Sequence, residues 1–158
     1  MTSLITKTIL ETPVGRILLH TSETHLYDVV ILITNDVIDA DLVTSTLAQQ
    51  AVNQLKSYFI DGQSTWTLPL AEQGTLFQRK VWQFLQTIPA GETRTYSDLA
   101  QALGTSARAI GNACRANPFA IVVPCHRVVS KSGIGGYYGK TRGCEIVLKQ
   151  WLLDHEHH

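Results

Sequence analysis

Apolar residues recur along this chain with two different periods, and the change of period divides it. Between residues 4 and 34 they fall in three leucine-rich or β-branched runs, LITKTIL, GRILLHT and LYDVVILIT, with Pro13-Val14-Gly15 between the first two. Such runs bounded by turn residues predict strands. Val43, Leu47, Ala51, Leu55 and Phe59 then recur every four residues as far as Asp61-Gly62, the spacing of one helix with a single buried face. The stretch GQSTWTLPLAEQG that follows has no period and reads as a linker. Residues 1–70 therefore form one small α/β unit, and no motif of chemical interest lies in it. His20 and His25 have no cysteine or carboxylate cluster beside them, so they are not read as metal ligands.

Residues 71–158 are mostly helical and clearly punctuated. Thr75 followed by Gln78 is a capping-box pattern, and Phe77, Val81, Phe84, Leu85 and Ile88 form an apolar stripe until Pro89 and Gly91. Thr95 and Asp98 repeat the start signal for YSDLAQAL, which Gly104 closes. After GTS a further helix, ARAIGNACRA, runs to Asn117-Pro118, and WLLDHE belongs to a C-terminal helix. Two short helices joined by a glycine-containing turn are the helix-turn-helix pattern. The second of them is built almost entirely of small residues, among them Ala107 and Gly111, with Arg108 near its start and Arg115 near its end. Small side chains let a backbone come close to a wide surface, and the arginines suit phosphates or a groove. Tight helix–helix packing would use the same small residues.

Composition narrows the class. A chain of 158 residues buries a core without disulfide or metal staples. No segment approaches the roughly 18 apolar residues of a membrane span, and MTSLITKTIL lacks both a basic leader and a small-residue cleavage site. An intracellular, cytoplasmic location is the expectation. Three cysteines, Cys114, Cys125 and Cys144, form no framework and suit a reducing compartment. Charge balances overall but not locally: before Gly74 there are three basic and eight acidic residues, after it ten basic and five acidic. The second half suits a polyanion.

The candidate chemistry lies in IVVPCHRVVS, where Cys125 and His126 are adjacent. Neighbours in a straight strand face opposite ways, but Pro124 breaks the strand and predicts a turn at which the two converge. A thiol needs a base or a positive field to act as a nucleophile, and His126 supplies one. Glu156 is the candidate to orient that base, Asp154 being worse placed by helical phase. A buried structural thiol, or a zinc site from Cys125, His126, Cys144 and His155, fits the same residues.

PCHRVV preceded by NPFAIVV and followed by GIGGYYG resembles the active-site signature of the O6-alkylguanine-DNA alkyltransferases, the methylated-DNA–protein-cysteine methyltransferases. GTLFQRKVWQFLQTIPAGETRTYSDLA, ARAIGNACRANP and LLDHE follow the family's order from Gly74 to Glu156, while TPVGRILL and YFIDG resemble it more loosely. The resemblance implies an α+β protein: a small ribonuclease-H-like N-terminal domain over 1–70, and over 71–158 a helical, winged-helix-like domain whose helix-turn-helix binds the DNA minor groove. It implies that Cys125 accepts the alkyl group, that His126 acts as base through a water, that Glu156 orients His126 and that Asn117 braces the turn. It implies too that Tyr96 assists the leaving base and that Arg108 enters the duplex in place of the extruded nucleotide. Thr95, Tyr96, Ala107, Gly111 and Arg115 are expected to join the DNA contact, and Tyr96, Val128, Tyr138 and Gly139 to form the pocket. No cofactor and no metal are implied; a monomer acting once on double-stranded DNA containing O6-alkylguanine, or O4-alkylthymine, is expected. Cys114 and Cys144 match no functional position and read as structural. A lesion-binding sensor without activity and a helix-turn-helix regulator are the alternatives, and both leave Cys125 with His126 unexplained.

Overall fold

The computed structural model describes residues 4–33, 35, 37–41, 45–63 and 65–157. They form two compact units, one comprising residues 1–72 with Pro118–Ala120, the other residues 73–117 and 121–158. Val43 and Thr34, which the apolar pattern assigns to a helix and a strand, lie outside the described residues.

The first unit is an antiparallel sheet of three strands in chain order, β1 (Thr6–Thr12), β2 (Gly15–Thr21) and β3 (Leu26–Ile31). Alternation places Ile17, Leu19 and Val29 in the core, with Thr8 and Thr21 buried among them. Helix α1 (Thr46–Asp61) covers the sheet with Leu47, Ala51, Val52, Leu55 and Tyr58. Ser45 caps its start, accepting from Ala48 N, and Gly62 ends it in the left-handed conformation. Phe119 extends the sheet by a parallel bridge to Val29, with Ala120 N donating to Val29 O at 3.2 Å.

The second unit begins with α2 (Leu76–Leu85), opened by the reciprocal capping box of Thr75 and Gln78. Its helical hydrogen bonds stop at Leu85, so the stripe that predicts Ile88 ends in a turn, and Ile88 is still 1 % exposed. Thr95 and Asp98 form a second capping box at α3 (Tyr96–Leu103), Gly104 closes it, and Ser106 caps α4 (Ala107–Arg115). Val81, Leu85, Leu99 and Ile110 are each fully buried where α2 and α3 meet α4, contributing roughly 1.5–3 kcal/mol apiece. Trp82 Nε1 donates to Ala113 O at 2.9 Å, fastening α2 to α4. A two-residue parallel pair, β4 (Arg94–Thr95) with β5 (Val128–Val129), is too short to show as a pattern in sequence. The long C-terminal helix α5 (Cys144–Glu156) completes the unit.

Candidate active site

Between α4 and β5 the backbone is forced off any regular path. Ile121 has φ 71°, a left-handed conformation that a buried β-branched residue takes only when its surroundings impose it. Pro124 then opens a single 3-10 turn, Cys125–Arg127, closed by Arg127 N donating to Pro124 O at 3.0 Å. Asn117 holds the approach: its Nδ2 donates to Val123 O at 2.8 Å, the carbonyl that also accepts from Cys125 N at 2.8 Å. A 3-10 turn rotates successive side chains by about 120° where a strand alternates them. Cys125 and His126 accordingly both point inward, 3 % and 0 % exposed.

His126 Nε2 is 2.7 Å from Glu156 Oε2. Arg127 grips the same carboxylate in a fork, Nε to Oε1 at 2.8 Å and Nη2 to Oε2 at 2.9 Å, while its Nη1 donates to Ile88 O at 2.6 Å. Burial alone would raise the Glu156 pKa, but the hydrogen bonds and charges of His126 and Arg127 outweigh it and hold it at about 2. Burial also pushes His126 down, more strongly than Glu156 pulls it up, and Arg127 adds to the lowering. A neutral imidazole facing a carboxylate carries its proton on Nε2 and donates it, which leaves Nδ1 as an unprotonated base. Nδ1 is buried and has no hydrogen-bond partner among the described residues.

The Cys125 thiol is raised by burial, an effect that hydrogen bonding from Asn117, the charge of Lys149 and hydrogen bonding from Tyr138 reduce without cancelling. It is protonated at neutral pH until a base acts on it. Lys149, on α5, is fully buried and donates to Val128 O at 2.6 Å and Gly136 O at 2.8 Å, with its ammonium 5.8 Å from the centre of the Tyr96 ring. Burial lowers its pKa to about 8. Tyr96 Oη donates to the same Gly136 carbonyl at 3.2 Å, and burial raises the pKa of Tyr96, keeping the phenol neutral.

Cys125 opens on a cleft of about 220 Å³ that Tyr96, Gly111, Tyr138 and Gly139 also line. Tyr138, at φ 49°, donates from its hydroxyl to Asn117 O at 3.3 Å. Arg115 lies over Gly139, so close that a Cβ there would sit 2.8 Å from Nε. Of the residues expected at the pocket, Val128 is elsewhere: it is fully buried in β5 and its carbonyl serves Lys149. Ala107 and Arg108 are exposed on the first turn of α4, and Thr95 caps α3. The zinc alternative fails on geometry. Cys144 and His155 are separated by most of α5, about 16 Å along a helix, and His126 is already engaged by Glu156. Cys144 is exposed rather than packed, whereas Cys114 is buried and lines the cleft.

Sequence reasoning passed over Arg127 and Lys149. Arg127 sits inside PCHRVV, where an arginine flanked by apolar runs signals a buried partner. Lys149 has a weaker signal, a cation on the face of α5 shared with Leu152 and Glu156.

Residues 76–158 match the model of the 6-O-methylguanine DNA methyltransferase DNA-binding domain. A probable methylated-DNA–protein-cysteine methyltransferase of Acanthamoeba polyphaga mimivirus is 50 % identical over 113 residues, 68 % of this chain and 71 % of that protein. The crystal structure of Mycobacterium tuberculosis O6-methylguanine methyltransferase superposes with a TM-score of 0.84 at 34 % identity, covering 98 % of this chain and 93 % of that one. Mycobacterium tuberculosis OGT in complex with DNA gives a TM-score of 0.80 at 36 % identity, over 94 % and 91 % of the two chains. The family match spans more than half of the chain and includes the buried turn of Cys125 and His126 with its Glu156 partner, so this α+β protein belongs to the O6-alkylguanine-DNA alkyltransferase, or methylated-DNA–protein-cysteine methyltransferase, family.

Proposed function

We propose that the protein repairs DNA directly, moving the methyl group of O6-methylguanine onto Cys125. Membership of the family gives the reaction, methyl transfer from O6-methylguanine in DNA to a protein cysteine. Its assignment to these residues rests on one observation: a sealed cysteine at a cleft, next to a histidine whose proton-accepting nitrogen is free and whose other nitrogen is held by a carboxylate.

The target atom is inside the base stack, so the lesion must be extruded, at a cost of a few kcal/mol that is lower for a damaged pair. Helices α3 and α4 supply the contact, approached from the minor groove, with Ala107 and Gly111 allowing close approach, Thr95 and Arg115 beside them and Arg108 filling the space of the flipped nucleotide. The extruded base enters the cleft between Tyr138, Gly139 and Tyr96. His126 Nδ1 takes the Cys125 proton through a water, and the imidazolium formed is stabilised by Glu156. The thiolate attacks the alkyl carbon in line; the S–C bond forms as the C–O6 bond breaks. Tyr96, a neutral phenol, offers a proton to N3 of the departing guanine. The thioether product cannot be hydrolysed by any group in the cleft, so each chain reacts once. The protein works as a monomer, without cofactor or metal, in a reducing cytoplasm that keeps its thiols free. O4-alkylthymine is a second substrate of the same chemistry.

Intact mass and peptide mapping after incubation with an O6-methylguanine duplex test this reading. One added methyl per chain, on Cys125, is expected, with none in Cys125→Ser although that variant still binds DNA. Lesion binding without a mass change would make the protein a damage sensor instead.

A further inference from the structure

Cys114 is a buried free thiol, its pKa raised by burial, that the repair reaction does not use. It sits on the last turn of α4, buried, and faces the same cleft as Cys125. Three hydrogen bonds tie the two residues together: Asn117 N donates to Cys114 O at 3.2 Å, Asn117 Nδ2 to Val123 O at 2.8 Å, and Cys125 N to that same Val123 carbonyl at 2.8 Å. Tyr96 and Tyr138 line the cleft together with both cysteines.

We propose that Cys114 and Cys125 form a reversible disulfide across the cleft when the protein meets a hydroperoxide, with Cys114 as the resolving thiol. The Cys125 thiolate, formed by the same His126 base, attacks one peroxide oxygen; the O–O bond breaks and Cys125 becomes a sulfenic acid. Cys114 then attacks that sulfur and its proton passes to the departing hydroxide: the S–S bond forms and the S–O bond breaks with loss of water. Two electrons leave the thiol pair and reduce hydrogen peroxide to two waters. Closure requires the two Cβ atoms to come within about 3.5–4.5 Å. The consequence is protective. A lone cysteine at this position climbs irreversibly to sulfinic and sulfonic acid and loses its repair capacity for good, whereas the disulfide is silent until a dithiol restores it.

The test is hydrogen peroxide on the whole protein, then digestion without reductant and peptide mass. A cross-linked peptide joining Cys114 and Cys125, two hydrogens lighter than its parts, is expected together with loss of most methyl uptake, recovered after dithiothreitol. In Cys114→Ala and Cys114→Ser, each referred to its own untreated sample, Cys125 gains two or three oxygens and dithiothreitol recovers nothing. Wild type that leaves Cys125 unmodified, or oxidises it without the cross-linked peptide, overturns the proposal. The peptide masses report the disulfide whether or not Cys125 is the methyl acceptor, so failure here is separable from failure of the repair reading.

Discussion

His126 Nε2 lies 2.7 Å from Glu156 Oε2 with the two side chains 0 % and 1 % exposed, a hydrogen bond that solvent does not compete for. It fixes the imidazole tautomer and aims Nδ1 as the acceptor. Glu156→Gln keeps the size but removes the charge that stabilises the imidazolium and leaves the Arg127 guanidinium buried without its carboxylate. The single-turnover rate of methyl transfer is expected to fall by about a hundredfold, within the range a positioned general base contributes. Stability falls by roughly 3–5 kcal/mol, as for a buried pair broken on one side. Rate and Tm measured on one preparation check this; a variant with the wild-type rate would remove Glu156 from the mechanism.

The same pair dictates how stability depends on pH. Glu156 is held at about 2, below the ordinary carboxyl value of 4.5, so its contribution is complete above about 4.5 and is lost as pH falls towards 2. Its full size is on the order of 3 kcal/mol. His126 is also lowered, so below its ordinary 6.5 the unfolded chain takes up a proton that the folded one refuses. That loss adds to the first. Tm should therefore begin to fall as pH drops below about 6.5 and steepen below 4.5, and His126→Gln should remove the upper part of the decline and shrink the lower, which Arg127 then sustains without His126.

Capping residues made the helical frame legible in sequence. Thr75 with Gln78, Thr95 with Asp98, and Gly104 act over three or four residues, and such local signals survive without knowledge of the fold. Pro124 likewise foretold the turn that brings Cys125 and His126 inward. What stayed hidden depends on distant partners. The β4–β5 pair joins residues more than thirty apart and is two residues long. Lys149 is a buried cation because two carbonyls, Val128 and Gly136, happen to meet its ammonium. The resemblance implies Val128 as pocket lining, and the turn after Cys125 leads it into β5. Residue types alone paired Cys125 with His126 and Glu156 as one reading among several; the alkyl-acceptor role and that of Asn117 came from the family resemblance.

Lys149 joins β5 to the loop that carries Tyr138. Replacing it with methionine preserves length and apolar packing but strips Val128 O of its Lys149 donor and leaves Gly136 O with only the long bond from Tyr96. Each carbonyl left short of a donor costs roughly 1–3 kcal/mol. Lys149→Met is expected to lower Tm and to slow methyl transfer, because the cation beside the thiolate is lost as well. A titration of Cys125 with a small alkylating reagent separates the two effects: the thiol pKa rises in the variant if the charge matters, and stays in place if Lys149 only holds the loop.

Gly139 carries the most specific prediction about the cleft. Its φ of 79° suits glycine, and a Cβ would stand 2.8 Å from Arg115 Nε and 3.0 Å from Cζ. Alanine there meets two penalties, the left-handed backbone, about 1–2 kcal/mol, and the collision with the guanidinium. The second can be relieved by moving Arg115 away, which takes from the cleft one of its two lining cations, Lys140 being the other. Gly139→Ala should therefore weaken capture of the lesion-bearing duplex more than it lowers Tm, and should reduce methyl transfer mainly at low DNA concentration. A double-mutant cycle with Arg115→Ala isolates the contact. If the collision dominates, Gly139→Ala costs much less in the Arg115→Ala background, where only backbone strain is left; if the penalty is the same in both backgrounds, the stacked arginine plays no part and the glycine is required for its conformation alone.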